Sequence, residues 1–462
     1  MDFDAALIQR YDCTGPRYTS YPTARQFESP FDTGRYLREV AHSNDDPIPS
    51  GLSLYVHLPF CSSPCFYCGC TRLITRDAQQ VSGYLERLVR EAGLQGELFD
   101  RDREVQQLHL GGGTPTLFSD GQLSELWRAL HTAFRFSAEL KVEASIEVDP
   151  RTVTPARLQA IAAIGFNRVS FGIQDFDAGV QEAVNRRQDQ RHCLRLIEAA
   201  RSGGFDSVAV DLIYGLPRQN LAGFGATLDT VAGARPDRVS VYAYAHLPQV
   251  FKAQRQIEAS ELPGPELRLK LLALAVERLT AAGYEYIGMD HFALPEDDLA
   301  RARHGGGLQR NFQGYSTHAG LDLVGLGLSA IGHVGRVYVQ NAKTLNDYYG
   351  ALDQGRLPIA AGLALNDDDE LRADVINRLM CYDELKYADV EETHHIRFWD
   401  YFSEERERLA SLASDGLVAL ESDRLRVLPP GRFLLRNLAM QFDAYLPSAP
   451  APGPGPRSSR VI

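Results

Sequence analysis

The chain has 462 residues, of which 44% are hydrophobic and 23% charged, with a formal net charge of -12 at pH 7. That balance is ordinary for a soluble globular protein of two or three domains, and its acidity argues against a broad nucleic-acid or anionic-membrane footprint. No apolar run reaches transmembrane length and Met1-Asp-Phe-Asp lacks the basic start of a signal peptide, so a cytoplasmic protein with neither membrane nor nucleic acid as partner is expected.

In chain order, residues 1–50 lie outside the barrel repeat and are expected to form an N-terminal segment covering the active site. Across residues 51–250, β-branched runs alternate with amphipathic ones. Strands are expected at Leu54–Leu58, Val105–Leu110, Lys141–Val148, Arg168–Ile173, Ser207–Ile213 and Arg238–Tyr244, with helices such as Ser82–Phe99, Gly121–Phe134, Pro155–Ile164 and Gln190–Ser202 between them. Six β-then-α units imply a mostly parallel α/β sheet. Six is short of the eight of a closed barrel, so a partial (β/α)6 barrel is predicted. Residues 251–360 read as a barrel extension with substrate-side elements, including a helix at Pro265–Ala282 and a Gly-rich stretch, His304–Gly335. Residues 361–446 read as a mainly helical, winged-helix-like C-terminal domain with a hairpin at Leu417–Val427, and residues 447–462 as a flexible Pro-rich tail.

In parallel α/β folds, ligands gather at the carboxyl ends of the strands. Unusual loops fall at those ends: His57–Cys70, Gly111–Thr116, Glu147–Pro150, Gln174–Asp175 and Tyr214–Pro217. Four of the seven cysteines crowd into the first of them, Cys61, Cys65 and Cys68 with the spacing C-x3-C-x2-C and Cys70 two residues on. In a reducing compartment such crowding points to metal or redox chemistry rather than a disulfide framework. Thiolates are the ligands that iron–sulfur clusters require. Three of them would leave one iron of a [4Fe-4S] cluster open to an exchangeable ligand. S-Adenosylmethionine can chelate that iron through its amino and carboxylate groups, and an electron from the cluster then yields a 5′-deoxyadenosyl radical. Structural zinc is the alternative, but four-cysteine zinc sites usually draw two pairs from separated loops. Gly111-Gly-Gly-Thr-Pro-Thr116 is either a plain turn or a backbone cradle for a charged amino-acid moiety. Its place beside the cysteine loop favours the cradle.

The cysteine and GGGTP loops resemble the radical S-adenosylmethionine superfamily. Nearly the whole chain resembles its oxygen-independent coproporphyrinogen III oxidase (dehydrogenase) family, through Pro16-Arg-Tyr-Thr-Ser-Tyr-Pro-Thr23, Tyr55-Val-His-Leu-Pro-Phe-Cys61, Cys68-Gly-Cys70, Ser145-Ile-Glu-Val-Asp-Pro150, Asp211-Leu-Ile-Tyr-Gly-Leu-Pro217, Gly288-Met-Asp-His-Phe292 and Arg310-Asn-Phe-Gln-Gly-Tyr315. The resemblance implies oxidative decarboxylation of two propionates of coproporphyrinogen III to vinyl groups, giving protoporphyrinogen IX for haem biosynthesis. It also implies a monomer, an electron donor for the cluster and a final electron acceptor.

By the same resemblance, Cys61, Cys65 and Cys68 hold the cluster, and two S-adenosylmethionine molecules lie beside it. The first would meet Tyr55, Gly112, Glu147 and Ile331; the second Tyr67, Gly113, Thr114, Gln174, Arg186, Asp211 and Ala245. Cys70 and Tyr55 are the residues assigned to catalysis. Related haem chaperones commonly lack the Cys70 ending, and one of them is the alternative reading. Arg17, Arg25 and Arg310 are candidates for the substrate carboxylates by residue type, with surface arginine as the plain alternative.

Overall fold

A computed structural model describes residues 4–446, so the tail expected at 447–462 lies outside the described residues. The strands and helices of the first half alternate as follows: β1 (Leu52–Leu58), α1 (Ala78–Gly96), β2 (Glu104–Gly112), α2 (Asp120–Ala133), β3 (Glu143–Val148), α3 (Pro155–Ile164), β4 (Arg168–Gln174), α4 (Gln190–Ser202), β5 (Ser207–Tyr214), α5 (Leu221–Ala234) and β6 (Arg238–Ala243). All six strands are parallel and pair with their neighbours in sequence order.

Strand β4 shows why this sequence makes such a sheet. Val169, Phe171 and Ile173 alternate with Arg168, Ser170, Gly172 and Gln174. The apolar set is buried in one core with Leu158 and Ile161 of α3 and Leu196 and Ile197 of α4. Burying each such side chain contributes about 1.5–3 kcal/mol. The other set faces the concave side, where Ser170, Gly172 and Gln174 line a cavity. Local signals start the helices. Ser119 and Gln122 close a capping box on α2, while Thr154 caps α3 with Pro155 in its first turn.

Beyond β6 come α6 (Pro265–Ala281), β7 (Glu285–Gly288), β8 (His291–Ala293), β9 (Gln309–Asn311), β10 (Gly314–Ser316), β11 (Asp322–Leu326), β12 (Ile331–Val334), β13 (Val337–Asn341) and β14 (Ile359–Ala364). Strand β8 joins β6 antiparallel, and β11 lies parallel to β1 on its other side. The Gly-rich stretch is therefore strand-bearing, and it supplies a seventh parallel strand that the alternation of long runs did not reveal. Gly325 shows the reason: a Cβ there would stand 2.5 Å from the Ile331 carbonyl oxygen, so the close pass of β11 and β12 requires glycine.

The C-terminal part holds α7 (Asp367–Cys381), a three-stranded sheet of Glu384–Lys386, Val418–Leu420 and Arg424–Val427, and α8 (Leu435–Met440). The hairpin expected at Leu417–Val427 is the pair of later strands in that sheet.

A buried polar network braces the end of β1, where the cysteine loop begins. The Tyr84 hydroxyl donates to the His57 carbonyl at 2.7 Å and accepts from the Leu328 N–H at 2.9 Å. One turn-pair further along α1, Glu91 accepts from the Gly327 N–H at 2.7 Å, Asn341 at 2.6 Å and the Tyr348 hydroxyl at 2.5 Å. Helix α1 thus fixes both β1 and the exit of β11. Among the described residues, no helix is long and apolar enough to cross a membrane.

Candidate active site

The carboxyl ends of β1 to β6 enclose a cavity of about 240 Å3. Cys61, Cys65, Cys68 and Cys70 stand on its wall, all as free thiols. Around the same cavity lie Tyr67, Gly112, Gly113, Thr114, Glu147, Gln174, Arg186 and Asp211. Ala245 instead lines an adjoining cavity of about 730 Å3 that shares Tyr67, Cys68, Cys70 and Tyr242 with the first. Tyr55 and Ile331 line neither. Tyr55 lies beneath, its hydroxyl 3.0 Å from His57 Nδ1 and its ring stacked on His109 at 5.8 Å. Ile331 begins β12, next to the Gly325 that pairs with Tyr55.

The loop after β2 is shaped by glycine. Gly112 has φ of 116°, and a Cβ there would lie 2.7 Å from the His57 ring. Its N–H donates to Glu147 Oε2 at 3.1 Å, and His109 Nε2 sits 3.3 Å from Oε1. Burial opposes ionisation of Glu147, but His109 and the Gly112 N–H outweigh it and hold the carboxyl below its usual range. His57 donates from Nε2 to the Thr71 carbonyl at 2.8 Å, which leaves Nδ1 to accept from Tyr55. Burial lowers its pKa, which favours the neutral ring.

Opposite stands Asp211, which accepts from the Ser170 hydroxyl at 2.8 Å. Burial pushes its pKa up to about 6, and Glu147 adds repulsion.

Three guanidiniums surround the cysteine loop. Arg186 Nη1 reaches Cys65 Sγ at 3.4 Å and Asp149 at 3.1 Å. Arg151 Nη2 bridges Asp149 at 2.7 Å and Cys65 Sγ at 3.5 Å. Arg72 holds the Cys68 and Cys65 carbonyls at 3.0 and 3.3 Å. Thr114 Oγ1 donates to Cys61 Sγ at 3.4 Å. Such donors and cations favour thiolate over thiol, although at Cys61 burial outweighs the Thr114 bond and pushes the thiol up to about 11.

The larger cavity is walled on one side by residues 15–25, a strap from the N-terminal segment that brings Arg17, Tyr18 and Arg25 to its lining. The C-terminal part anchors that strap. Arg436 donates to the carbonyls of Pro16, at 2.9 Å, and Gly15. Asn437 bonds the Tyr11 carbonyl at 2.8 Å, Asp443 the Tyr18 hydroxyl at 2.8 Å, and the Ala444 N–H the Tyr21 hydroxyl at 3.0 Å.

A radical SAM superfamily model matches residues 55–231, and a HemN C-terminal domain model matches residues 365–434. An oxygen-independent coproporphyrinogen III oxidase of Pseudomonas aeruginosa is 48% identical over 96% of each chain. That of Escherichia coli is 46% identical, again over 96% of each. The chain belongs to the oxygen-independent coproporphyrinogen III oxidase family. The solved Escherichia coli coproporphyrinogen III oxidase (HemN), a radical SAM enzyme, superposes with a TM-score of 0.91 at 45% identity, covering 96% of this chain and 100% of that one. The partial barrel with a helical C-terminal domain is thus the fold of this family. A [4Fe-4S] cluster and S-adenosylmethionine follow from superfamily membership.

The donor set fits such a cluster. Among the described residues no three His, Cys, Asp or Glu side chains converge on one point, as ligands of a single ion would. Cluster cysteines have a different task, because each binds a different iron. Free thiols of one loop on the wall of one cavity, flanked by guanidiniums, suit that task.

Sequence reasoning missed Arg72, Arg151, Ser170 and Tyr242 as parts of this wall, and held Asp149 only as a member of the Glu147–Pro150 loop, with no role of its own. Asp149 and Arg151 could have been found in the loop after the third strand. Asking which cations offset clustered thiolates would have drawn attention to Arg72.

Proposed function

We propose that this protein carries out the oxygen-independent oxidative decarboxylation of two propionate side chains of coproporphyrinogen III, giving the vinyl groups of protoporphyrinogen IX. The observation that carries this reading is the pair of adjoining cavities. The smaller is polar and ringed by free thiols, and the larger has aromatic walls and arginines at its strap side; Tyr67, Cys68, Cys70 and Tyr242 belong to both. A cavity of about 730 Å3 is within the common range for a ligand of tetrapyrrole size.

Cys61, Cys65 and Cys68 would hold the cluster, with Arg72, Arg151 and Arg186 offsetting its negative charge. The cluster with S-adenosylmethionine supplies one electron and a 5′-deoxyadenosyl radical that can take hydrogen from a propionate β-carbon; loss of CO2 and one electron then leaves the vinyl group. Glu147 would accept from the amino group or ribose hydroxyls of the first S-adenosylmethionine, and Asp211 from those of the second. Gly112 lets the backbone approach the first and Gly113 the second. Tyr55 and His57 support that wall from beneath, and Ile331 backs it through Gly325. Tyr67, Thr114, Gln174 and Arg186 line the side where a second S-adenosylmethionine would sit, toward Ala245 and the larger cavity. Cys70, shared by both cavities, lies between cofactor and substrate. The strap would cover one side of the larger cavity and bring Arg25, and Arg17 with its Asp290 partner at 3.3 Å, to the lining where carboxylates would bind. An electron donor and a final acceptor complete the balance.

The test is anaerobic incubation with S-adenosylmethionine, a reductant and coproporphyrinogen III. The expected products are 5′-deoxyadenosine, CO2 and protoporphyrinogen IX. Stoichiometric haem binding with no vinyl product would instead favour the chaperone reading.

A further inference from the structure

A third cavity of about 290 Å3 lies beyond the strap. It shares Tyr18, Thr19, Ser20 and Phe312 with the larger cavity, but none of its lining residues belongs to the thiol-ringed one. Arg310 of β9 is on its wall and only 8% exposed. The side chain is held in place on two sides: Nε donates to the Arg17 carbonyl at 3.4 Å, and the guanidinium lies 4.9 Å from the centre of the Tyr315 ring. Nη1, although buried, meets no acceptor among the described residues. Two carboxylates line the same cavity, and both are already engaged. Asp322 takes Arg103, Ser43 at 2.8 Å and the Gly335 N–H at 2.9 Å. Asp374 takes Arg378 at 2.7 Å and His394 at 3.2 Å. The cavity therefore has one buried cationic donor still without an acceptor.

A buried guanidinium N–H without a partner is costly, and native proteins seldom leave one so. An anionic oxygen is the partner its chemistry prefers. The substrate proposed above is a tetracarboxylate, and the strap residues Tyr18 to Ser20 form a wall common to its cavity and this one. We propose that Arg310 is a substrate-binding residue whose Nη1 pairs with the carboxylate of a propionate arm seated in this third cavity. Because the cavity shares no residue with the thiol-ringed one, that arm is one that is not reacting in the same turnover. The inference rests on the proposed function and adds to it a specificity contact for carboxylate-bearing tetrapyrroles.

The test compares wild type, Arg310→Met, Arg310→Lys and Asn377→Asp as holoenzymes. Asn377 lines the cavity, and its Oδ1 accepts from the Arg310 backbone N–H at 3.1 Å. An aspartate there keeps that bond and adds a competing negative charge. Losing a hydrogen bond between charged groups should raise the KM for coproporphyrinogen III in Arg310→Met by about tenfold to a hundredfold. Saturating kcat and substrate-free S-adenosylmethionine cleavage should stay at wild-type level. Lysine should restore part of the affinity, and Asn377→Asp should raise KM without removing Arg310, which keeps the test open if the methionine variant does not fold. A wild-type KM in a folded Arg310→Met, or in Asn377→Asp, would overturn the assignment. A wild-type protein that does not turn over coproporphyrinogen III would instead overturn the proposed function itself.

Discussion

Arg436→Met separates the stability of the whole protein from the seating of its strap. Arg436 is 3% exposed, and burial, aided by repulsion from Arg17, pulls its pKa down to about 10. At about 1.4 kcal/mol per tenfold change in proton affinity, keeping that charge buried costs on the order of 3 kcal/mol. Its bonds to the Gly15 and Pro16 carbonyls each return about 1.5–3 kcal/mol. The two effects nearly cancel, as they often do for buried charges, and methionine keeps much of the volume. Global stability should therefore move by only about 1 kcal/mol. The strap does not share in that cancellation, because the bonds to Gly15 and Pro16 are made to it. Losing about 3 kcal/mol of docking would raise its open fraction by roughly a hundredfold. Hydrogen exchange of residues 11–25 should accelerate, and KM for the substrate should rise while substrate-free cofactor cleavage is unchanged. Unaltered exchange in the strap, or a large fall in melting temperature with KM intact, would refute the reasoning.

Other expectations follow from the site and its supports. Asp211, with its pKa pushed up to about 6, is protonated at lower pH, so S-adenosylmethionine affinity should weaken by about tenfold between pH 7 and pH 5; an Asp211→Asn variant measured by equilibrium binding should show a flat profile. Gly112→Ala puts a methyl 2.7 Å from the His57 ring at a φ of 116°, and should cost more than about 1 kcal/mol in strain and abolish most 5′-deoxyadenosine formation. Cys70→Ser should keep iron and sulfide content while lowering turnover; loss of the cluster would make Cys70 a ligand. Burial pushes Glu91 up to about 7 despite its three donors. The folded state then holds an extra proton between roughly pH 4.5 and 7, so stability should fall as pH rises through that window by up to about 3 kcal/mol. Denaturant melts of wild type and Glu91→Gln at pH 5 and 7.5 test this, the variant showing the smaller difference.

The parts of the fold that could be read in the sequence were those with long, regular patterns. Pro155–Ile164 and Gln190–Ser202 match their helices end to end, and each of the six expected strands overlaps one in the sheet. Strands β9 to β12 were not legible, because runs of three to five residues broken by glycines carry no usable period. The site divides in the same way. Cysteine spacing and the triple glycine are local signals, and the residues singled out with them lie mostly around one cavity. Arg151 reaches Cys65 Sγ from another loop, Asp149 pairs with Arg151 and Arg186, and Arg72 bonds carbonyls of the cysteine loop itself, so the cysteine spacing marks none of them. Arg17, Arg25 and Arg310 could be named by type alone. Only the folded chain shows that Arg17 and Arg25 face the larger cavity and Arg310 the one behind the strap. The hold of Arg436 on Gly15 and Pro16 joins segments more than 400 residues apart, and no sequence pattern announces it.

The most direct test of the central claim is turnover with coproporphyrinogen III deuterated at the propionate β-carbons. Hydrogen abstraction at the thiol-ringed cavity predicts deuterium in the recovered 5′-deoxyadenosine, with vinyl product formed in step. Vinyl product accompanied by unlabelled 5′-deoxyadenosine would contradict the account.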